Sequence, residues 1–276
     1  MKIFVTGGTG FIGSHFINEA HSRGIVVIAL RRSGSLPRVK LIKEPIWVDG
    51  QLDDFDEKYL HGCDSIVHLA AHTPNPPYDS YSNCFYWNVT AALNLFEKAY
   101  DIGIDNFLVA GTCFEYGRSG ERYEYIPVNA PLEPTSAYPA SKAAASIAFS
   151  AWSVEKNIKV KILRIFQVFG EGELESRLWP LLKFSAQQEL DLEMTRGEQV
   201  RDFVSVQEVA IKFVQELNFC NMDKNSFLVQ NVGSGKPQSI RDFSEYWWKK
   251  MGATGVLKFG KLPYRKGEVM RYVPEI

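Results

Sequence analysis

The stretch "SAYPASK" (136–142) sets Tyr138 and Lys142 four residues apart, one helical turn, so both side chains leave the same helix face. A phenol has a reference pKa of about 10 and is no base at neutral pH without help. A lysine charge about 4 Å away, at an effective dielectric near 20, contributes roughly 4 kcal/mol. At about 1.4 kcal/mol per pKa unit, that lowers the tyrosine by up to about three units before solvent screening. Such a pair can pass a proton to and from a substrate oxygen. Pro139 falls in the first helical turn, where its missing N–H is not needed, and Ser136 can cap that turn. Thr112, in "GTCFEYG" (111–117), directly follows the apolar run "NFLVA" and so stands at the carboxyl end of a strand, where open α/β sheets bind ligands. Its hydroxyl can hydrogen-bond the same substrate oxygen.

"VTGGTGFIGSHF" places Gly7, Gly10 and Gly13 after the first strand and at the opening of the first helix, with Phe11 and Ile12 between them. Glycines permit the tight turn and let the backbone approach a pyrophosphate, while the helix N-terminus offers free N–H groups. In this strand-turn-helix setting the triplet predicts a dinucleotide cofactor. An NAD site usually carries an acidic residue at the end of the second strand; "IALRRSGS" has Arg31 and Arg32 there. A guanidinium suits a 2′-phosphate, so the expectation is NADP(H) in preference, with NAD(H) possible; two solvated arginines are the plainer reading. Asp49, closing "IWVDG", is placed either to contact an adenine amine or simply to turn the chain. In "HLAAH", Leu69 and the small Ala70 and Ala71 would let the cofactor lie against the backbone. His68 and His72 read as catalytic groups or, more economically, as satisfied histidines beside a loop.

Apolar runs of strand length recur as "KIFVT", "IVVIAL", "IWVD", "SIVHLA", "NFLVA" and "VKILRIF", separated by helical patterns such as "NVTAALNLFEKAYDIG". This alternation predicts an α/β fold: a Rossmann-type, doubly wound parallel sheet over 1–165, with a smaller C-terminal lobe over 166–276. In that lobe, helices are expected near 176–188, 205–219 and from about 239, with a strand near 226–232. The proline-rich segments 73–83 and 124–136 follow predicted strands, where active-site loops belong.

The 276 residues carry 31 basic and 32 acidic side chains, a formal charge of -1, so no global field favours nucleic acid or an anionic membrane. Cys63, Cys84, Cys113 and Cys220 form no CxxC pair, which fits free thiols and no metal site. With neither a signal-peptide core nor an apolar run of about 18 residues, the expectation is a soluble cytoplasmic protein.

With "TGGTGFIG", "HLAA", "NVTAALNL", "GTCFEYG", "SAYPASK", "LRIFQVFGEGE", "RDFVSVQEVA", "NVGSGKPQSI" and "RKGE" in this order, the chain resembles the extended short-chain dehydrogenase/reductase family, specifically its NAD(P)-dependent nucleotide-sugar epimerase/dehydratases. The resemblance implies that Thr112, Tyr138 and Lys142 are catalytic, with Lys142 also holding the nicotinamide ribose. It implies that Cys113, Phe114, Gln167, Arg201 and Arg265 face the nucleotide sugar, the arginines gripping its diphosphate. Gln167 departs from the family's usual Asn. Asn88 matches a position that supports the active-site backbone, and "NVTAALNLFEKAY" and "PASKAAASIAFSAW" match helices that pair relatives into homodimers. Nucleotide-sugar 4,6-dehydratases carry Asp-Glu where this chain has Cys113 and Phe114, and Glu115 comes one residue too late, so dehydration is disfavoured. "GTCFEYGRSG" is similar to reductases that make deoxysugars for surface polysaccharides, such as CDP-abequose and CDP-paratose synthases. Together with the arginines it implies an NADP(H)-dependent reductase of a nucleotide-linked 4-keto sugar. The alternatives are an NAD-dependent 4-epimerase and, in another class, a non-catalytic NADP(H)-sensing binding protein, which would typically have lost the Tyr or Lys kept here.

Overall fold

The computed structural model describes residues 1–265 and 267–276. Its first half runs β1 (Lys2–Thr6), α1 (Phe11–Ser22), β2 (Val26–Arg31), β3 (Ile46–Asp49), β4 (Ser65–His68), α2 (Tyr81–Phe85), α3 (Ala91–Asp101), β5 (Asn106–Thr112) and α4 (Ala137–Lys156). There follow β6 (Lys159–Ile165), β7 (Gln167–Phe169), α5 (Leu178–Gln187), β8 (Leu192–Met194), β9 (Val200–Ser205), α6 (Val206–Gln215) and β10 (Ser226–Val232). The chain closes with β11 (Pro237–Ser239), α7 (Ile240–Lys250), β12 (Leu257–Phe259) and β13 (Arg271–Tyr272).

Seven parallel strands form the central sheet in the order β10-β6-β5-β4-β1-β2-β3. This is the expected Rossmann-type core. Successive side chains of a strand point to opposite faces, and β1 shows the consequence. Ile3 and Val5 pack with Phe16 and Ile17 of α1 and Phe213 of α6. Phe4 packs on the other side with Phe96 of α3 and Phe149 and Trp152 of α4. Burial of each such side chain contributes about 1.5–3 kcal/mol. The sequence order reverses between β1 and β4, the switch point at which open sheets receive ligands beyond their carboxyl ends.

The boundary expected at 165/166 is crossed twice. β10 pairs with β6 along its full length, Ser226–Val232 against Lys159–Ile165, and α6 packs on α1. Six of the seven β6 residues are buried, so this strand needs a neighbour on both sides, and β10 supplies the outer one. The smaller lobe is what remains: a small sheet of β7, β9, β11 and β13, the β8–β12 pair, and helices α5 and α7 around Trp179, Phe243 and Trp248.

Between α2 and α3, Tyr86–Thr90 form a π-helical turn, a feature frequent at functional sites. No described helix is long and apolar enough to cross a membrane. The four cysteines are free.

Candidate active site

β5 delivers Thr112 to the sheet edge, and α4 begins with Ala137, so Tyr138 and Lys142 face that edge from the first turns of a long helix. Tyr138 is 6% exposed and Lys142 3%. Ser136 is the N-cap residue, yet its side chain makes no capping bond; its carbonyl accepts from Ala140 instead. Thr112 caps the short 3-10 turn 113–116, its Oγ1 accepting from the Phe114 N–H at 3.3 Å.

Tyr138 does not have the lowered pKa that the Tyr-Lys spacing suggests. Burial pushes the phenol above its ordinary value, and Glu115, Cys113 and Tyr78 add to this, while the Thr112 side-chain hydrogen bond works the other way. Burial also lowers Lys142, against the Glu115 charge that supports its ammonium. The desolvation cost of a phenolate in this pocket outweighs the Thr112 hydrogen bond that favours it.

Two groups hold this pair in place. The Asn88 amide, in the π-turn, accepts from the His72 N–H at 2.7 Å and donates to Ser141 Oγ at 2.9 Å. Ser141 in turn donates to the Tyr138 carbonyl at 2.8 Å, tying the loop after β4 to the start of α4. Tyr78, from the proline-rich loop, stacks on Tyr138; nothing in the spacing of that loop marks it. Of the histidines of "HLAAH", His72 is paired, whereas His68 is bonded at one ring nitrogen and its buried Nε2 has no partner among the described residues. His68 bonds Thr6 Oγ1 through Nδ1 at 2.9 Å and is held neutral, its pKa pushed down to about 3 by burial and then by the Lys142 charge. His72 pairs with Asp79 at 2.8 Å.

The glycine turn fits a dinucleotide. A Cβ on Gly7, which has φ +74°, would lie 2.5 Å from the Ala70 nitrogen and 2.6 Å from the Leu69 carbonyl carbon, and one on Gly13 would lie 2.0 Å from the Gly7 oxygen. Only glycine lets β1, β4 and α1 close on one another here. Gly10 caps α1 without any side chain, leaving the amides of Phe11 and Ile12 open to a pyrophosphate. Leu69, Ala70 and Ala71 line the neighbouring strand end and are not buried.

Arg31 and Asp49, both expected near an adenosine, are register partners in adjacent strands. Arg31 Nε donates to Asp49 Oδ1 at 2.9 Å, and the guanidinium lies 4.9 Å from the Trp47 ring centroid. The arginine expected to await a 2′-phosphate therefore has a carboxylate partner. Arg32 is exposed.

Of the residues expected to face the substrate, Cys113 is buried, its thiol pushed up to about 12 by desolvation, and Phe114 is 40% exposed. Gln167 opens β7 and is half-buried. Arg201 donates to the Val269 carbonyl at 2.6 Å and pairs with Glu268 at 3.3 Å; its charge acts on Cys113. Arg265 is exposed, and its carbonyl accepts from Glu268, so the "RKGE" turn closes toward Arg201. Lys266 of that motif lies outside the described residues. Glu173 and Arg177, at the entry to α5, pair at 3.5 Å, and the Arg177 charge reaches both Cys113 and Tyr78. Among the described residues no cluster of three or more His, Cys, Asp or Glu side chains could hold a metal.

The chain is 28% identical to UDP-arabinose 4-epimerase 1 of Arabidopsis thaliana over 96% of this chain and 70% of the relative. It is 25% identical to the CDP-abequose synthase of Salmonella typhimurium over 97% and 87%. The solved UDP-N-acetylglucosamine 4-epimerase of Methanobrevibacter ruminantium superposes with a TM-score of 0.88 at 24% identity, covering 100% of this chain and 89% of that one. Three further structures of this fold contain NAD: MoeE5, the 4-epimerase of Stenotrophomonas maltophila and the UDP-glucuronic acid 4-epimerase of Bacillus cereus. Their TM-scores are 0.82, 0.85 and 0.83 at 23%, 21% and 22% identity, over 100% of this chain and 90% of theirs. These NAD complexes, with the Arg31–Asp49 pair, count against the expected preference for NADP(H), which is withdrawn. Residues 3–228 match the NAD dependent epimerase/dehydratase family across most of the large sheet and the whole Thr112, Tyr138 and Lys142 constellation, and the chain belongs to that family of nucleotide-sugar enzymes.

Proposed function

We propose that the protein is an NAD-dependent 4-epimerase of a nucleotide-linked sugar. The observation that carries this is the state of the turn after Thr112. Its one carboxylate, Glu115, is fully buried and bonded to Arg164, Ser146 and the Thr112 amide, so no free acid-base pair stands there to eliminate water. What is left beside the strand end is Thr112 bonded to Tyr138, with Lys142 one helical turn on, a set that suits oxidation and re-reduction of a single carbon. The similarity to 4-epimerases from a plant and an archaeon supports the same reading.

NAD, when bound, would supply reversible hydride transfer at one carbon of the sugar. The positive charge of an oxidised nicotinamide would favour the Tyr138 phenolate that burial alone disfavours, and in that form Tyr138 would take the proton of the sugar hydroxyl and later give it back. Thr112 orients that oxygen, and Lys142 steadies the phenolate. Gly7, Gly10, Phe11, Ile12 and Gly13 would hold the pyrophosphate, with Asp49 and Arg31 at the adenosine and Leu69, Ala70 and Ala71 beneath it. Cys113, Phe114 and Gln167 would line the sugar pocket, and Arg201 and Arg265 would take the diphosphate.

The test incubates NAD-loaded protein with UDP-glucose, UDP-N-acetylglucosamine and UDP-arabinose, following products by chromatography and mass. An isomer of unchanged mass, without net change in reduced-nicotinamide absorbance, is the expected result. The similarity to a CDP-abequose synthase keeps one competitor in view. Stoichiometric loss of NADH with a CDP-linked 4-keto-6-deoxy sugar, giving a product heavier by two hydrogens, would replace the epimerase by a reductase. Tyr138→Phe is expected to lower turnover by about two to four orders of magnitude while NAD still binds.

A further inference from the structure

Gly111, Thr112, Glu115, Ser146 and Arg164 come from β5 and its turn, α4 and β6, and they meet around one carboxylate. Glu115 is 0% exposed. Its Oε1 accepts from the Thr112 N–H at 2.8 Å; its Oε2 accepts from Ser146 Oγ at 2.7 Å and Arg164 Nε at 2.8 Å. Arg164 is satisfied in turn by the Val128 carbonyl at 3.0 Å and by the Tyr116 ring, whose centroid is 4.7 Å away. Space for the carboxylate depends on Gly111, where a Cβ would lie 2.8 Å from Glu115 Oε1 and 3.1 Å from Arg164 Cγ. Ser146 lies one helical turn beyond Lys142 and two beyond Tyr138.

None of the proposed proton or hydride movements uses Glu115. Stability does not require it either, because a buried ion pair costs so much desolvation that well-packed apolar residues commonly do as well. What an apolar cluster would lack is direction. Both carboxylate oxygens are committed, one to the strand end and one to the helix, and this fixes the two elements relative to each other.

We propose that Glu115 is the positioning residue of this site, locking the end of β5 to α4 so that the Thr112 hydroxyl, the Tyr138 phenol and the Lys142 ammonium keep one geometry. The proposal rests on the reading of those three residues as catalytic. Its electrostatic side agrees with the geometry: the same buried charge pushes Tyr138 up and supports the Lys142 ammonium against burial.

Glu115→Gln alone strands the Arg164 charge in the interior, where folding suffers. The informative variants are Ser146→Ala, which cuts only the tie to α4, and the double variant Glu115→Gln with Arg164→Met, which removes both charges together. Each is loaded with NAD and carbon-13 tyrosine labelled at Cζ, the Tyr138 resonance being the one that Tyr138→Phe removes. Both variants are expected to displace that resonance and shift its titration. On the sugar that turns over, kcat should fall between about ten- and a hundredfold with little change in KM, the scale of a misplaced reacting group. A Tyr138 resonance and titration that stay where they are in the wild type overturn the proposal, even if kcat falls. If Tyr138→Phe is inactive but the Ser146 and double variants keep their kcat, positioning by Glu115 alone is refuted. If Tyr138→Phe turns over normally, the catalytic reading fails and the positioning role falls with it.

Discussion

Tyr78 stacks on Tyr138, their ring centroids 5.7 Å apart and their planes inclined by 30°. The ring arrives on the proline-rich loop after β4 and joins Cys84 and Ala137 in a small apolar cluster, so it covers the Tyr138 phenol. An aromatic pair of this kind is worth about 0.5–1.5 kcal/mol beyond the area it buries. Tyr78→Ala should therefore lower kcat/KM by about three- to tenfold, while Tyr78→Phe, which keeps the ring, should stay close to the wild type. Steady-state kinetics of both variants decide it. Equal impairment would assign the effect to the Tyr78 hydroxyl.

Asp49, which the proposed function sets at the adenosine, holds Arg31 by one charged hydrogen bond, and both side chains are partly exposed. Asp49→Asn removes a negative charge beside the ribose and releases the guanidinium. Affinity for NADPH relative to NADH should then rise, by no more than about fivefold for a pair this exposed. Fluorescence titration of the two reduced cofactors measures the ratio. A ratio equal to the wild type's would separate cofactor choice from this pair.

The Arg31 case also marks where sequence reasoning reached its limit. The strands of the large sheet were legible because alternating or continuous apolar runs survive in one dimension, and the Tyr138–Lys142 spacing was legible because a helix fixes it. The partner of Arg31 lies 18 residues away, in a strand whose register only folding sets, so "RR" suggested a phosphate site that Asp49 contradicts. Glu115 is the same kind of case: its partners Ser146 and Arg164 are 31 and 49 residues distant. β10 read as part of the smaller lobe because it follows that lobe in sequence, although its hydrogen bonds are to β6. Tyr78 sits in a loop without period, which offers no signal for its contact with Tyr138.

Ile147 and Val154, two turns apart on α4, are 62% and 51% exposed, and Tyr81 and Phe85 of the neighbouring α2 are 58% and 37% exposed. Of these, Ile147 lies within "PASKAAASIAFSAW", one of the two helices that the resemblance implies for pairing, and we propose that this exposed apolar face joins two copies as a homodimer in solution. Sedimentation should give twice the chain mass at micromolar concentration. Ile147→Glu, which places a charge on that face, should shift the protein toward monomer without displacing Tyr138 or Lys142, which lie on the buried side of the same helix. A monomeric wild type would leave the face without this partner.

Glu173 gives the protein a pH-dependent weakness. Its side chain is 7% exposed, one carboxylate oxygen lies 3.5 Å from Arg177, and the other has no hydrogen-bond partner. Burial raises its pKa from 4.5 to about 7, with Arg177 recovering only part of the loss. The folded protein thus keeps a proton that the unfolded chain releases near 4.5. Its contribution is fully favourable below that pH, is lost as pH rises through about 7, and becomes a constant penalty above. Glu173→Gln fixes the neutral form. Measured by thermal unfolding, the variant should nearly match the wild type at pH 4 and exceed it at pH 8 by about 3 kcal/mol, several degrees in Tm. Other titrating groups, His68 among them, are common to both proteins and cancel in the difference. A variant less stable than the wild type at pH 8 would mean that the Arg177 pair outweighs burial and that Glu173 is ionised in the folded protein.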